Sequence, residues 1–307
     1  MRRLSYLCLL ALLLISCKKQ QDIYLFSYFK GNGDGLHLAY SKDGLTWNEV
    51  NNDSIFLKPQ VGKDKLMRDP SIVQDDKGIF HMVWTSGWWD QGIGYASSPD
   101  LINWSAQQNI PVMEKFNGTK NTWAPELFFD KKTKTFYIFW ASTIPGAFPD
   151  LPTSEREKGL NHRMYYASTK DFKNFSDTEL FFDPRFSVID GAILEKDNMY
   201  YMFVKNENSM PVEKNIRVTS TASLPHFPIQ VSAPITGNYW AEGPTPLQIG
   251  EYVYVYFDKY RDKKYGAVRS KDMKNWEDVS EIVSFPKGIR HGTAFKISEK
   301  EFNRLMQ

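Results

Sequence analysis

The sequence predicts an all-β fold: a five-bladed β-propeller whose ring is closed by N-terminal strands in the last blade. Three observations support this prediction. A short polar motif recurs five times in the 307 residues, apolar strand pairs precede its later copies, and no segment has the long apolar stripe of a helix. Units of about four strands that repeat radially build a propeller.

The repeated motif is a Ser or Thr, an Asp or Ser two residues later, and a Trp or Phe four residues after that. Its copies are AYSKDGLTW (39–47), ASSPDLINW (96–104), ASTKDFKNF (167–175), a degraded TSTASLPHF (219–227) and VRSKDMKNW (268–276). We predict that its aromatic residues pack between blades and lie outside any functional site. They are Trp47, Trp104, Phe175, Phe227 and Trp276.

Four strand pairs precede the later copies of the motif, and the turns between paired strands carry Asp, Lys, Gly and Asn, as hairpins prefer. The pairs are SIVQDDKGIFHMVWTS (71–86), ELFFDKKTKTFYIFWAS (126–142), AILEKDNMYYMFVK (192–205) and PLQIGEYVYVYFDKY (246–260). The first motif copy lacks such a leading strand, whereas RHGTAFKIS (290–298) is a leading strand with no partner after it. We therefore expect the N-terminal strands to complete the last blade and remove its free edge.

The first residues have a different character from the propeller that follows. Residues 1–17 contain an apolar run that is short for a membrane span, and LISC before Lys18 resembles the lipobox of bacterial lipoproteins. We expect residues 1–17 to be a signal peptide with a lipobox, 18–22 a linker and 23–307 one catalytic domain. The protein would then be exported and lipid-anchored through Cys17 to a bacterial membrane, facing the periplasm or the cell surface; an uncleaved anchor helix is the alternative.

Composition limits the partners of this chain. The net charge of +2 gives no electrostatic reason to expect nucleic acid binding. The aromatic share of 15% suits β-rich folds and surfaces that hold flat apolar faces such as sugar rings. Both cysteines, Cys8 and Cys17, lie in the N-terminal segment, so the mature domain must be stable without a disulfide. We expect a monomer that binds carbohydrate and contacts a membrane through its lipid only.

The starts of the leading strands carry the candidate functional residues. In a propeller these strands line the central axis, so we expect four carboxylates and one histidine to converge there. An Asp before Pro or Gly is usually a turn residue, but repelling carboxylates around one axis are costly without a use. The starts are Arg68-Asp69-Pro70, Trp123-Ala124-Pro125-Glu126, Ile189-Asp190-Gly191, Ala241-Glu242-Gly243-Pro244 and Arg290-His291-Gly292.

This ordered set resembles glycoside hydrolase family 43, over nearly the whole mature chain. The resemblance implies that Asp69 is the general base that activates water, and that Glu242 is the general acid. It also implies that Asp190 orients Glu242 and raises its pKa, and that His291 lies beside an axial calcium ion or water. Glu126 departs from the family, which usually has Asp after Trp-Ala-Pro; a substrate-hydroxyl contact and a structural role in the core both remain open.

Further substrate contacts are expected around the same funnel. Trp88 would form a sugar platform, with packing between blades as the alternative, and His162 or Arg163 would reach the substrate from beside the insertion at 143–159. We expect no required cofactor; a structural calcium ion at the axis, near His291, is the metal that the resemblance suggests. The expected substrate-binding residues are Arg68, Trp88, Trp123, Glu126, Arg290 and His291.

The resemblance implies an exo-acting, inverting glycosidase that removes arabinofuranosyl or xylosyl groups from plant-type polysaccharides. We expect an α-L-arabinofuranosidase first and a β-xylosidase second. Inversion requires two carboxyl groups roughly 6.5–9.5 Å apart, and strands on different blades can supply that gap. Two alternatives stay open: a retaining fructosidase of families 32 and 68, whose earlier Asn-Asp-Pro motif is missing here, and a non-catalytic glycan-binding propeller lipoprotein.

Overall fold

The computed structural model describes residues 22–149 and 159–307 of the chain. In these residues nineteen strands form five sheets, and each sheet is an antiparallel blade of a ring. The predicted five-bladed β-propeller is therefore confirmed. Blade 1 consists of β4 (Arg68–Gln74), β5 (Phe80–Thr85), β6 (Ile93–Ser98) and β7 (Gln108–Ile110). Blade 2 consists of β8 (Trp123–Asp130), β9 (Thr135–Ser142), β10 (Arg163–Thr169) and β11 (Glu179–Phe182).

The remaining blades differ in how complete they are and in where their strands come from. Blade 3 consists of β12 (Val188–Lys196), β13 (Met199–Asn206) and β14 (Asn215–Thr221). Blade 4 consists of β15 (Glu242–Ile249), β16 (Tyr252–Lys259), β17 (Lys264–Ser270) and β18 (Glu277–Asp278). Blade 5 consists of β19 (Ala294–Ile297), β1 (Ile23–Tyr28), β2 (His37–Ser41) and β3 (Asn48–Glu49).

Blade 5 closes the ring as predicted, because its inner strand comes from the end of the described chain and its outer strands from the beginning. β1 pairs antiparallel with β19 in a register that sets Leu25 opposite Phe295. The hydroxyl of Tyr256 in blade 4 donates to the carbonyl oxygen of Gly44 in blade 5 at 2.8 Å, which ties the closing blade to its neighbour.

The repeated motif forms the turn from the third strand of a blade to its outer edge. In the first copy, Ser41 Oγ accepts from Gly44 N at 2.8 Å and Asp43 Oδ1 accepts from Thr46 N at 2.9 Å. Trp47 is buried and packs against Tyr256 of the neighbouring blade at 5.4 Å between ring centroids. The predicted packing between blades is thus confirmed for Trp47, and equally for Phe227 against Phe181 and Trp276 against Phe203.

Blade 3 has three strands in the described residues, and its outer edge follows the degraded motif copy. Pro225, Pro228 and Pro234 lie in that edge, and proline has no amide hydrogen to give to a ladder. Two backbone hydrogen bonds join this edge to β14, from Ser232 N to Val218 O and from Ile235 N to Ile216 O. The weak motif copy therefore marks a weak sheet edge.

The chain ends in helix α1 (Glu299–Leu305), which Ser298 begins with a capping box. Within the described residues, no helix has the length and apolar character that crossing a bilayer requires. The predicted signal peptide, Cys17 anchor and linker lie outside the described residues, apart from Asp22 at the end of the linker. Much of the insertion at 143–159 also lies outside them.

Candidate active site

The inner strands of blades 1 to 4 all begin with the same backbone irregularity. In each, the register with the second strand shifts near the start, as in a β-bulge. If each start is counted from the last residue paired before the shift (Arg68, Trp123, Ile189 or Glu242), its second residue has a left-handed φ: 53° at Asp69, 46° at Ala124, 52° at Asp190 and 61° at Gly243. Non-glycine residues hold such a conformation at a cost of about 1–3 kcal/mol each, so the fold must overdetermine it.

Gly243 shows why one of these positions cannot carry a side chain. A Cβ atom there would lie 2.4 Å from Cγ of His291, inside the imidazole ring's contact distance. The amide of Gly243 also donates to Asp190 Oδ2 at 3.0 Å. Glycine at this position therefore allows His291 and Asp190 to approach the start of β15 together.

The four predicted carboxylates all lie at the inner strand starts as expected, but they occupy different positions of the bulge. Asp69 and Asp190 take the second position, Glu242 the first and Glu126 the fourth. The side chains consequently reach different depths. Their exposed fractions fall from 19% for Glu242 and 12% for Asp69 to 7% for Asp190 and 5% for Glu126.

His291 lies at the centre of the deeper carboxylates. Its Nδ1 atom is 3.3 Å from Asp69 Oδ1 and 4.0 Å from Asp190 Oδ1, and its Nε2 atom is 3.7 Å from Glu126 Oε1. Burial alone would lower the pKa of His291, but Asp69, Glu126 and Asp190 raise that pKa well above its usual value. The three carboxylates therefore favour the imidazolium form of the ring, whose charge offsets theirs.

Asp69 is held as a carboxylate by this arrangement. Its burial would raise its pKa, but the hydrogen bond and charge of His291, with Arg68 and Thr85, lower the pKa overall. Thr85 Oγ1 donates to Asp69 Oδ2 at 2.9 Å and accepts from Ala124 N at 2.9 Å. An ionised carboxylate that is fixed on both oxygens has the state and orientation that a general base needs.

Glu242 lies nearer the mouth of the funnel, between two cations. Lys205 Nζ donates to Glu242 Oε2 at 2.9 Å, and Arg290 Nη2 lies 3.4 Å from Oε1. Arg290 also donates to Asp258 Oδ2 at 2.7 Å. Burial would lower the pKa of Arg290, but Asp258, Glu242 and Asp69 raise it overall, so the guanidinium stays charged beside Glu242.

Two further carboxyl groups around Glu242 have raised pKa values. Burial raises the pKa of Asp190 to about 6, with a contribution from Glu242 and opposition from His291 and Lys205. Burial and the charge of Glu242 raise the pKa of Asp258 to about 6, against the effect of Arg290. Carboxyl groups that titrate near pH 6, close to an Asp69 whose pKa is lowered, give the separation of pKa values that acid and base catalysis requires.

Aromatic side chains form the rim of the funnel at blades 1 and 2. Trp88 and Trp89 are 37% and 49% exposed, and both rings contact Trp123 of blade 2, so the predicted sugar platform and its packing alternative both stay open. The Arg68 guanidinium lies 4.6 Å from the Trp88 ring centroid, and Trp123 Nε1 donates to the Trp88 carbonyl oxygen at 2.8 Å. These contacts present a flat apolar surface with a cation beside it, which suits a sugar ring.

Four residues predicted as substrate contacts, or as candidates for one, are buried too deeply for that role. Glu126 is 3% exposed and accepts from Ser71 Oγ at 2.6 Å, which favours its structural alternative. His291 is equally buried below Asp69. Arg163 is fully buried and paired with Asp183, and His162 is buried behind Trp123, with its pKa lowered by burial to about 4. These side chains position others and do not face the mouth.

The sequence prediction missed Lys205, Asp258 and Thr85, which come from the second strands of their blades. Lys205 pairs with Ile189, Asp258 with Glu242, and Thr85 with Arg68, each opposite the start of an inner strand. Lys205 is 1% exposed and is bound to Glu207 at 2.6 Å as well as to Glu242. A charged residue at the end of an otherwise apolar strand, as in MFVK and VYFD, was the available signal.

The described residues fit a directly ligated calcium ion poorly. Their carboxylates and histidines include no group of three or more arranged to hold a metal ion. The imidazolium form that the three carboxylates favour has no free lone pair for a metal, whereas the buried Nε2 atom of His291 has no hydrogen-bond partner among the described residues. The predicted axial calcium ion, bound through water, stays a prediction, and no step below depends on it.

Comparisons with known proteins agree with this geometry. The family described as "Probable glycosyl hydrolase domain", related to glycoside hydrolase family 43, matches residues 20–303. An α-L-arabinofuranosidase of Bifidobacterium longum subsp. longum is 29% identical over 119 residues, which are 36% of this chain and 11% of that protein. The chain thus matches a small part of that relative.

Solved structures share the fold at low sequence identity. A thermostable family-43 glycoside hydrolase is 18% identical with a TM-score of 0.56, over 73% of this chain and 78% of that one. An α-L-arabinofuranosidase from Lactobacillus brevis is 15% identical with a TM-score of 0.54, over 69% and 72%. Since the family match spans almost the whole propeller, the chain belongs to the glycosyl hydrolase family related to glycoside hydrolase family 43.

Proposed function

We propose that the protein is an exo-acting, inverting α-L-arabinofuranosidase that acts on plant-type polysaccharides. The observation that carries the proposal is that Asp69 and Glu242 begin inner strands of different blades and each lies beside its own basic group, Asp69 beside His291 and Glu242 beside Lys205. His291, Asp190 and Glu126 are buried around Asp69, and a site with such a buried base suits a terminal sugar. The named activity of the Bifidobacterium relative supports the choice of sugar.

Asp69 is the general base in this proposal. It removes a proton from a water molecule, which attacks the anomeric carbon from the face opposite the leaving group. Thr85 and His291 hold the two carboxylate oxygens, so Asp69 receives the proton without changing its position. The imidazolium beneath it keeps the base ionised at neutral pH.

Glu242 is the general acid and gives its proton to the leaving glycosidic oxygen. Lys205 and Arg290 then stabilise the carboxylate that remains. Asp190 and Asp258, whose pKa values burial raises to about 6, both interact with the charge of Glu242 and can hold a proton near it. Asp190 therefore acts as a positioning residue that keeps a proton beside Glu242.

A panel of nitrophenyl glycosides tests the proposal. We expect hydrolysis of the α-L-arabinofuranoside, with little activity on β-D-xyloside, β-D-galactoside or β-D-fructofuranoside. Asp69→Ala should abolish this activity, and Glu242→Gln should spare part of it because nitrophenolate leaves without a proton. Faster hydrolysis of the xyloside makes the protein a β-xylosidase. If no glycoside is cut by the wild type but oligosaccharides bind, the protein is a glycan-binding propeller instead.

We also propose that Cys17 is lipidated and anchors the exported protein to a bacterial membrane. The support is the LISC sequence before Lys18 and the lack of any other cysteine apart from Cys8. Incorporation of radiolabelled palmitate, and its loss in Cys17→Ala, are the expected results. Unlabelled wild-type protein in the soluble fraction would contradict the anchor without affecting the proposed reaction.

A further inference from the structure

A cavity of about 780 Å³ adjoins the catalytic funnel on the side of Glu242. Arg290 and Asp258 form part of its wall, and Arg290 also contacts Glu242 at 3.4 Å. A general acid protonates the oxygen of the leaving group, so the leaving group must lie on the acid's side of the cleaved bond. On the proposed reaction, this cavity is where the rest of the glycan chain lies.

The walls of this cavity carry unpaired positive charge. Lys263, Lys264 and Lys287 are exposed along it, and none forms an ion pair with another residue of the described ranges. Of the two carboxylates in the walls, Asp258 is bound to Arg290, which leaves Glu281 as the one without a cation of the described chain. The cavity therefore has more free cations than free anions.

The same cavity also offers a surface for sugar rings. Tyr260 lines it together with the lysines and Arg290; Tyr265 and Phe285 also line it, but they pack against Phe26 and Trp47 of the core. Aromatic faces pack against the apolar side of a pyranose, while ammonium groups at the rim bind carboxylates or sulfates. A neutral glycan would use the aromatic residues and leave the lysines without a role.

We propose that this cavity binds an anionic leaving-group chain, so that the enzyme removes terminal sugars from a glycan that carries uronate carboxylates or sulfates. The inference rests on the proposed function for the direction of the chain, and on the lysines for its charge. Ammonium groups on flexible stems bind such anions at varied spacing, and the attraction weakens as salt increases.

Isothermal titration with the wild-type protein tests the inference without turnover. The probes are tetragalacturonate, a neutral tetrasaccharide and the sulfated form of that tetrasaccharide, each in 20 mM and 500 mM NaCl. We expect at least one charged probe to bind about tenfold more tightly than the neutral one at low salt, and this preference to vanish at high salt. The tighter of the two charged probes identifies uronate or sulfate as the anion.

The double variant K263E/K287E should lose the preference for the charged probe. The control K173E/K274E makes the same charge change on exposed lysines of the repeated outer turns and should keep the preference. Equal affinity of the wild type for charged and neutral probes, or a preference that survives in K263E/K287E, overturns the inference. Because binding is measured here and hydrolysis in the glycoside panel, failure of one leaves the other intact.

Discussion

The outer turns and the inner strand starts both recur around the ring, but the outer turns repeat side chains whereas the inner starts repeat a backbone conformation. Four of the five outer turns keep the same side chains, a hydroxyl, an Asp and an aromatic residue, with the same hydrogen bonds, as at Ser41 and Ser98. The inner starts of blades 1 to 4 keep a bulged backbone with a left-handed φ, while their side chains differ from blade to blade. A constant side chain marks a structural position, and varied side chains on a constant backbone mark the site.

The largest expected effect comes from an inner Asp. Asp69→Asn keeps the shape of the side chain but cannot accept a proton from water, so kcat should fall about 10²–10⁴-fold. The matched outer variant Asp43→Asn should leave kcat unchanged, since Asp43 only closes a turn. Steady-state kinetics on the arabinofuranoside compares the two. Equal losses in both variants would remove the distinction between the regions.

An outer aromatic residue should show the opposite behaviour. Trp47→Ala removes a buried ring that packs against Phe26, Tyr256 and Phe285, which should lower the free energy of unfolding by about 3–5 kcal/mol. The kcat of the folded enzyme should not change. Urea unfolding measures the stability, and Trp89→Ala, on an exposed ring, is the control with a change within about 0.5 kcal/mol. A stable Trp47→Ala protein with reduced kcat would contradict the assignment.

The inner charges predict a bell-shaped pH profile. Activity needs an ionised Asp69, so the acid limb of the profile should lie below the usual pKa of an Asp. Activity also needs a proton on Asp190, whose pKa is about 6, so it should fall as pH rises through about 6. Lys205 lowers the pKa of Asp190, so Lys205→Met should move the alkaline limb to higher pH.

Lys132→Met is the control for that shift, because Lys132 pairs with Glu195 at the surface of blade 3 and is far more exposed than Lys205. Its pH profile should match the wild type. Lys205→Arg should retain most of the wild-type alkaline limb, because it keeps the positive charge. An alkaline limb that is the same in Lys205→Met and in the wild type would show that Lys205 does not act on the acid group.

The smallest expected effect is that of metal removal. Because His291 supplies positive charge to Asp69, Glu126 and Asp190, a chelator should leave kcat and the melting temperature unchanged. Activity is measured after dialysis against EDTA and again after calcium is added. A loss that calcium alone restores would establish the axial ion that the family resemblance suggests.

The fold could be predicted from the sequence because the repeated motif and the strand at 290–298, which has no partner after it in the chain, are both visible as local sequence patterns. The sequence also identified which strand starts meet at the axis. It could not assign depth, because the bulges place Glu242, Asp69 and Glu126 at different levels and a bulge has no period to detect. Lys205 and Asp258 were missed because they lie near the ends of apolar strands. Only the pairing register, which the sequence does not show, sets them opposite Ile189 and Glu242 at the inner strand starts.

The central claim is that Asp69 and Glu242 work as a base and an acid on opposite faces of one glycosidic bond. Proton NMR of the reaction with an aryl α-L-arabinofuranoside tests it most directly, by identifying the first-formed anomer before mutarotation. The account predicts β-L-arabinose as the first product, because water attacks opposite the leaving group. First-formed α-L-arabinose would contradict it, because retention requires a covalent intermediate on one of the carboxylates.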